Sequence, residues 1–411
     1  MMKIICLLLL ISSSLFSQDK AIKKDSISFD SIYTLGMEMI KTKNFKSASL
    51  YSDSLLSIPS YSALSNYKQH SKLLWIKVLS QSGQQAYTKS IAVNLDLIQL
   101  LRNQKDTIND FYETCIHEIA KNYSYVGDHD SSEAYWLLNL QLNNKIYGKE
   151  NIKSSKSLNN LGTINSIKLE YAKAENYFRQ SAEMKKIIFG ENSLEYGNSL
   201  VKIAMVYDCN QRFNEALSLY TINSKILEHL DKTQTDSYAK SLEGIASNLM
   251  RIGRYKEAEN LFIKEKELFE KIPSLKKSVV YIDYLRAFGL FYRELGNSPK
   301  SVELFSTAIE ASEKMWGNST WNYYNFIYFL GTSYQGNNDR KAYGIFKAIL
   351  DTNTMSKQEQ IINLPLIYKA FYQTSERLGL QISEEKYLKL IQDCLLANDT
   401  ITYIHALTIY G

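Results

Sequence analysis

A small residue, glycine or alanine, recurs about every 42 positions along the chain in the same apolar setting. An aliphatic residue stands four positions before it, and another apolar residue stands directly before it. The small residues are Gly36, Ala120, Gly162, Ala204, Ala246, Gly289 and Gly331. Offsets of minus four, minus one, zero and plus three lie on one face of an α-helix. The pattern therefore predicts a repeated helix with one buried face, and stacked repeats rather than separate globular domains.

A second small residue follows each of these by about twelve positions and predicts a second helix. These residues are Ala48, Ser132, Ala174, Ala216, Ala258, Ser301 and Ala342. Six of the seven are followed four positions later by an aromatic residue, namely Trp136, Phe178, Tyr220, Phe262, Phe305 or Phe346. Turn signals such as Gly127-Asp128 and Gly253-Arg254 separate the two helices. The chain is therefore predicted to be all-α, built from antiparallel helix pairs.

The residues of three units resemble the tetratricopeptide repeat family. They are Leu161, Gly162, Ala174 and Phe178, then Ile203, Ala204, Tyr207, Phe213, Ala216 and Tyr220, then Ile245, Ala246, Tyr255, Ala258 and Phe262. The spacing exceeds the 34 residues usual for that family, and longer repeats of about 42 residues are similar to those of kinesin light chains. The resemblance implies a right-handed superhelical solenoid with a concave groove. Such arrays also resemble the front of bacterial proteins that end in a CHAT-type cysteine peptidase domain.

The array is expected to cover residues 26–355, after a short lead at residues 18–25. Within it, residues 61–103 form a degenerate unit, because Lys77 and Gln81 interrupt the apolar stripe. Residues 356–411 are predicted to form divergent C-terminal helices, at 367–378 and 387–396, with an incomplete repeat as the alternative. Terminal units often diverge because one side of them faces water.

The first 17 residues have the pattern of a cleaved secretory signal peptide. Lys3 supplies a positive charge, residues 4–16 are mostly apolar, and Ser17 offers a small residue before a cut at Ser17–Gln18. This predicts a bacterial protein of the periplasm or the cell exterior. No later run reaches about 18 unbroken apolar residues, so no membrane span is expected in the mature chain.

Composition and motifs argue against chemistry in the visible chain. The net charge of +5 over 411 residues and the lack of a dense Lys/Arg stretch give no support to a nucleic-acid partner. The five histidines have no partner at metal-ligand spacing, and no phosphate-binding glycine loop or nucleophile motif occurs. We therefore predict no cofactor, no metal and no enzyme activity. Charge runs such as residues 264–267 are predicted to lie on solvent-exposed outer faces.

A second stripe on each first helix is the candidate binding surface. It comprises offsets of minus three, plus one and plus four from the small residue, which lie beside the buried stripe. Its candidate residues are His117, Lys121, Asn159, Thr163, Asp208, Ser247, Arg286, Arg293 and Tyr328. Polar side chains at successive heights suit an extended peptide, and Arg286 and Arg293, seven positions apart, could clamp an acidic group. An ordinary solvated helix surface is the alternative.

Three functions are compatible with the sequence. The first is an exported scaffold that binds a protein or peptide in the concave groove. The second is the repeat region of a CHAT-type cysteine peptidase whose catalytic domain is missing from this chain. The third is the sensing region of a membrane signalling protein. The identity of the partner and the oligomeric state stay open.

Overall fold

The computed structural model describes residues 28–318, 320–352 and 357–380, and in this part of the chain it contains 17 α-helices and no β-strand. The predicted signal peptide, the lead and the predicted helix at 387–396 lie outside the described residues. The chain divides into two compact units, Met1–Lys149 and Glu150–Gly411.

The described part of the first unit, from residue 28, contains three helix pairs. The helices are α1 (Phe29–Lys41), α2 (Phe45–Leu56), α3 (Tyr67–Gly83), α4 (Tyr87–Asn103), α5 (Asp110–Val126) and α6 (His129–Tyr147). A short 3-10 helix, Pro59–Tyr61, follows α2.

The described part of the second unit contains five further pairs and one more helix. The pairs are α7 (Ile152–Ile167) with α8 (Tyr171–Phe189), α9 (Leu194–Cys209) with α10 (Phe213–His229), α11 (Asp236–Arg251) with α12 (Tyr255–Lys271), α13 (Val279–Glu294) with α14 (Ser298–Trp316), and α15 (Trp321–Tyr334) with α16 (Asp339–Thr352). The further helix is α17 (Lys357–Arg377), which includes most of the helix predicted at 367–378. A 3-10 helix, Pro273–Lys277, joins α12 to α13. The predicted all-α fold of consecutive packed helix pairs is confirmed.

The interior of each pair is built as the recurring residues predict, and we call this contact the helix-pair seam. All seven second-helix small residues, from Ala48 to Ala342, have no exposed surface. A methyl group added at Gly162 would lie 2.7 Å from the ring of Phe178, and one added at Gly289 would lie 2.8 Å from the ring of Phe305. The small residue of the first helix is thus needed to make room for the aromatic ring of the second.

The turn between paired helices also recurs. A residue with positive φ stands there in each pair, at Lys43, Gln85, Gly127, Leu169, Gln211, Gly253, Gly296 and Gly336. At this position the backbone turns left-handed, and the next amide closes a hydrogen bond to the last turn of the first helix, as from Glu170 to the carbonyl of Asn165 at 2.8 Å.

The segment predicted as degenerate contains the pair α3 and α4. Val78, which stands 42 positions after Gly36, takes the place of the small residue and is fully buried. The hydroxyl of Ser90 on α4 donates to the carbonyl of Val78 at 2.8 Å. Ser132 donates to Ala120 in the same way, also at 2.8 Å. The seam geometry therefore continues through this pair although its sequence departs from the pattern.

Candidate functional site

In the second unit the first helices of successive pairs lie beside one another, since α9 contacts α11, α11 contacts α13 and α13 contacts α15. We call the side chains at offsets of minus six, minus three, plus one and plus four from the small residue the first-helix face. The predicted residues Asn159, Thr163, Asp208, Ser247, Arg286, Arg293 and Tyr328 belong to this face in the second unit.

Asp208 lies at the carboxyl end of α9, where two neighbouring helices supply hydrogen-bond donors. The hydroxyl of Tyr220 on α10 donates to its Oδ2 at 2.8 Å. Burial raises the pKa of the Asp208 carboxyl, and hydrogen bonds from Asn248 on α11 and from Tyr220 act in the opposite direction. The Asp208 carboxyl group is therefore partly shielded from solvent. It already accepts hydrogen bonds from Tyr220 of its own repeat and from Asn248 of the next.

Ser247 belongs to a charged cluster that joins α11 to α13. Its hydroxyl donates to Glu243 Oε1 at 2.9 Å, and Lys240 Nζ lies 3.4 Å from Glu243 Oε2. The same ammonium lies 3.3 Å from Asp283 Oδ2 on α13. Burial works against the charge of Lys240, but Glu243 and Asp283 outweigh it and raise the pKa of that ammonium. The cluster links two successive repeats through their first helices.

The two arginines of the predicted clamp stand in different environments. Arg293 donates to Thr332 Oγ1 on α15 at 3.1 Å, and its guanidinium lies 5.1 Å from the ring centre of Phe329. Burial lowers the pKa of Arg293. Arg286 is partly buried and has no hydrogen bond or ion pair to any residue in the described ranges. Arg286 is therefore the more available of the two cations.

Tyr328, on α15, is half-buried beside Arg293. Its ring centre lies 5.6 Å from that of Phe329 and 6.4 Å from that of Phe346. Burial raises the pKa of its hydroxyl, while Arg293 works the other way. The ring is packed into the repeat and only part of it is available to a ligand.

Asn159 and Thr163 lie one turn apart on α7. The Thr163 hydroxyl is used within the helix, because it donates to the carbonyl of Asn159 at 2.9 Å. Asn159 Oδ1 is buried and accepts no hydrogen bond. Its amide oxygen is therefore an unsatisfied acceptor on the face.

His117 and Lys121 lie on α5, which belongs to the first unit. The ring of His117 meets that of Trp136 edge-on, with 4.8 Å between ring centres. Lys121 Nζ lies 2.6 Å from Glu118 Oε2, and Ser82 on α3 donates to Glu118 Oε1 at 2.7 Å. His117 is thus engaged with α6, and Lys121 with a glutamate of its own helix that is in turn bonded to α3.

Sequence reasoning missed three charged residues around Ser247. Lys240 and Asp283 lie at offset minus six, one turn beyond the predicted stripe, and the helical period would have included them. Glu265 was expected on a solvent-exposed outer face, and this prediction was wrong, because the side chain is fully buried. Its position seven residues after Ala258 is two helical turns along the inner face of α12. The neighbouring Lys264, Lys266 and Glu267 are exposed, as predicted.

Within the described ranges no group of three or more histidine, cysteine, aspartate or glutamate side chains is placed to hold a metal ion. No described helix is both long enough and apolar enough to span a bilayer.

The sequence of residues 112–187, from α5 to α8, matches the model of the tetratricopeptide repeat family. No curated protein matches the chain in sequence.

Several solved structures are similar to this chain at low sequence identity. The quorum sensor NprR from B. thuringiensis in its apo form is 12% identical, with a TM-score of 0.59, over 83% of this chain and 90% of that one. A tetratricopeptide repeat protein from Parabacteroides merdae is 13% identical, with a TM-score of 0.51, over 74% and 98%. A putative kinesin light chain from Podosopora anserina with nearly identical TPR-like repeats is 15% identical, with a TM-score of 0.44, over 52% and 99%. Residues 112–187 are thus similar to tetratricopeptide repeats, and the repeated helix pairs of the described chain share the fold of such repeats.

Proposed function

We propose that the chain is an exported scaffold that binds a protein or peptide along the first-helix face of its repeats. One observation carries the proposal. Polar and charged side chains of successive repeats meet on this face between helices, as Lys240 meets Asp283 and Arg293 meets Thr332. An extended peptide presents donors, acceptors and side chains along a line, so it fits a surface whose polar groups are spaced repeat by repeat.

Two further facts support a binding role over a catalytic one. Repeat arrays build extended surfaces from stacked units, and these surfaces are used for binding. NprR, whose fold resembles most of this chain, is a quorum sensor. Neither fact favours the peptidase region or the membrane sensor, which stay alternative predictions.

Export is part of the proposal and rests on the pattern of residues 1–17. N-terminal sequencing of the protein recovered from its own host would give Gln18 as the first residue. A first residue of Met1 or Met2 would overturn the export.

The binding face can be tested by selecting peptides from a random twelve-residue phage library on the full-length protein. Met205 lies on the first-helix face of α9 and is 40% exposed, whereas Ile222 lies on the second helix α10 and is 42% exposed. Met205→Arg should weaken the selected peptides by roughly tenfold or more, since a large charged side chain would obstruct the face, and Ile222→Arg should leave them unchanged. Equal losses in both variants, or a loss in Ile222→Arg alone, would contradict the proposal.

A further inference from the structure

One stretch of the first-helix face carries more carboxylates than cations. Asp208 on α9, Glu243 on α11 and Asp283 on α13 supply three carboxyl groups. Within the described ranges, Lys240 is the one ammonium that forms ion pairs with the last two of them. Its distances of 3.4 and 3.3 Å exceed the 2.7–2.9 Å usual for charge-assisted hydrogen bonds. We call Asp208, Glu243 and Asp283 the acidic stretch.

A second observation at this stretch comes from the helix behind it. Glu265 on α12 has no exposed surface, and neither of its carboxyl oxygens has a hydrogen-bond partner. The charged groups that act on it are Glu243, Lys240 and Asp283, so its carboxyl group borders the acidic stretch. Leaving a buried polar group unpartnered costs free energy, which a ligand that donates to it would recover.

Other repeats show that this arrangement is not required by the fold. At the position of Glu265, seven residues after the second-helix small residue, three of them carry an amide or hydroxyl that donates a hydrogen bond, and three others carry the apolar residues Leu55, Ala308 and Ile349. Asn139 donates to the Glu113 carboxylate at 2.9 Å, Ser181 donates to the Ser155 carbonyl at 2.8 Å, and Asn223 donates to the Ser241 hydroxyl at 2.7 Å. Glu265 replaces such a donor with a carboxyl group that the repeat leaves without a partner.

We propose that the acidic stretch binds a basic side chain, lysine or arginine, of the peptide that lies along the first-helix face. Lys240 holds the place of that cation in the unbound protein. Its stem is flexible and its side chain is 26% exposed, so it can turn into solvent when a ligand cation enters. The ligand cation would then contact Glu243 and Asp283, carboxylates of two successive first helices, with Asp208 on the preceding first helix and Glu265 behind them as further acceptors.

This inference rests on the proposed function, because it assumes that a peptide occupies the face. Arginine suits the site well, since its guanidinium presents five donors and carboxylates only accept. Arg293 lies ten positions after Asp283 on α13, so a ligand with separate basic and acidic residues could use both regions.

The test compares four proteins in the same phage selection, namely wild type, Lys240→Met, the double variant Glu243→Gln with Asp283→Asn, and the double variant Glu215→Gln with Glu257→Gln. The last pair removes the same charge from exposed positions on second helices, where both residues pair with arginines. The affinity of recovered peptides is then measured by fluorescence polarisation, together with synthetic counterparts in which citrulline replaces arginine. Melting curves establish that the variants are folded.

The expected result has three parts. Peptides selected on wild type are enriched in lysine or arginine, and citrulline weakens them by roughly tenfold or more. The Glu243→Gln, Asp283→Asn protein loses a similar factor for the arginine peptide, whereas the control protein does not. Lys240→Met binds the arginine peptide more tightly than wild type because the internal competitor is gone.

The outcomes separate the two proposals. Selected peptides that lack basic residues, or that ignore both the citrulline exchange and the Glu243→Gln, Asp283→Asn change, overturn the basic-side-chain site. If such peptides are still weakened by Met205→Arg, the first-helix face stands as the binding surface. A selection that recovers no peptide at all overturns both.

Discussion

The helix-pair seam and the first-helix face are built from the same repeats but differ in how they recur. At the seam, a small residue and an aromatic ring meet in pair after pair, as Gly162 meets Phe178 and Gly289 meets Phe305. On the face, the corresponding positions hold Thr163, Met205, Ser247 and Leu290. The seam must satisfy one packing geometry throughout, whereas the face is free to differ from repeat to repeat. The face is therefore where a specific partner can be recognised.

The largest effect is expected from emptying the seam. Phe262 is fully buried and stacks on Phe288 with 4.9 Å between ring centres. Phe262→Ala should lower the free energy of unfolding by about 3–5 kcal/mol, because it removes a buried ring and leaves a cavity. Denaturant unfolding checks this. The adjacent Ile263 is 43% exposed, and Ile263→Ala should cost no more than about 0.5 kcal/mol; comparable losses would mean that the seam does not hold the repeat.

Overfilling the seam should have the next largest effect. Ala204 has no exposed surface, so the ring of Ala204→Trp would force the helices of its pair apart and should cost about 1–3 kcal/mol or more. The neighbouring Met205 lies on the face, and Met205→Trp should leave the melting temperature nearly unchanged. An Ala204→Trp protein that melts with the wild type would refute the repeat register.

Glu265 lies on the inner face of α12 and borders the charged groups of the first-helix face. Its burial predicts that the stability of the protein depends on pH. Burial, with Glu243 and Asp283, raises the pKa of Glu265 well above 4.5, and Lys240 works the other way. The folded state then retains a proton that the unfolded state releases, so stability falls as pH rises between the two pKa values, by about 1.4 kcal/mol per pH unit. The stabilising contribution is present in full below about pH 4.5 and is lost as pH rises through the folded pKa.

Glu265→Gln removes this dependence, since its amide does not titrate. The variant should melt higher than wild type at pH 8 and show little advantage at pH 4. If Glu265→Gln raised the melting temperature by the same amount at both pH values, Glu265 would not hold a proton in the folded protein.

The smallest effect is expected at a seam position that holds serine in some pairs and alanine in others. Ser132 donates to the carbonyl of Ala120 at 2.8 Å, while Ala174 and Ala216 occupy the same position in other pairs. Ser132→Ala should therefore cost only about 1 kcal/mol, the net value of one hydrogen bond. Chemical denaturation would measure this loss in the free energy of unfolding. A loss as large as that of Phe262→Ala would show that serine and alanine are not interchangeable at this seam position.

Most of the fold could be predicted from the sequence because the seam repeats. The positions of Ala204, Ala216 and Tyr220 recur at fixed intervals, and each is buried as expected. Val78 could not be recognised in the same way, because it is larger than the residues it replaces. Its pair is held in register by the hydrogen bond from Ser90, which no periodic pattern of apolar residues reveals.

Less of the candidate site could be predicted, because its contacts join residues about one repeat apart. Ser247 and Asp208 were identified from helical spacing alone. That Lys240 meets Asp283, 43 positions further on, depends on how α13 lies against α11. Glu265 was misassigned because its neighbours in sequence are exposed charges, although its register with Ala258 and Phe262 places it inside.

The most direct measurement of where a ligand lies is site-specific photo-crosslinking with a selected peptide. A benzophenone amino acid is placed at position 205 on α9 or at position 222 on α10, which have similar exposure. Crosslinks to the peptide should form from position 205 and not from position 222. Crosslinking from position 222 alone, or equally from both, would contradict binding along the first-helix face.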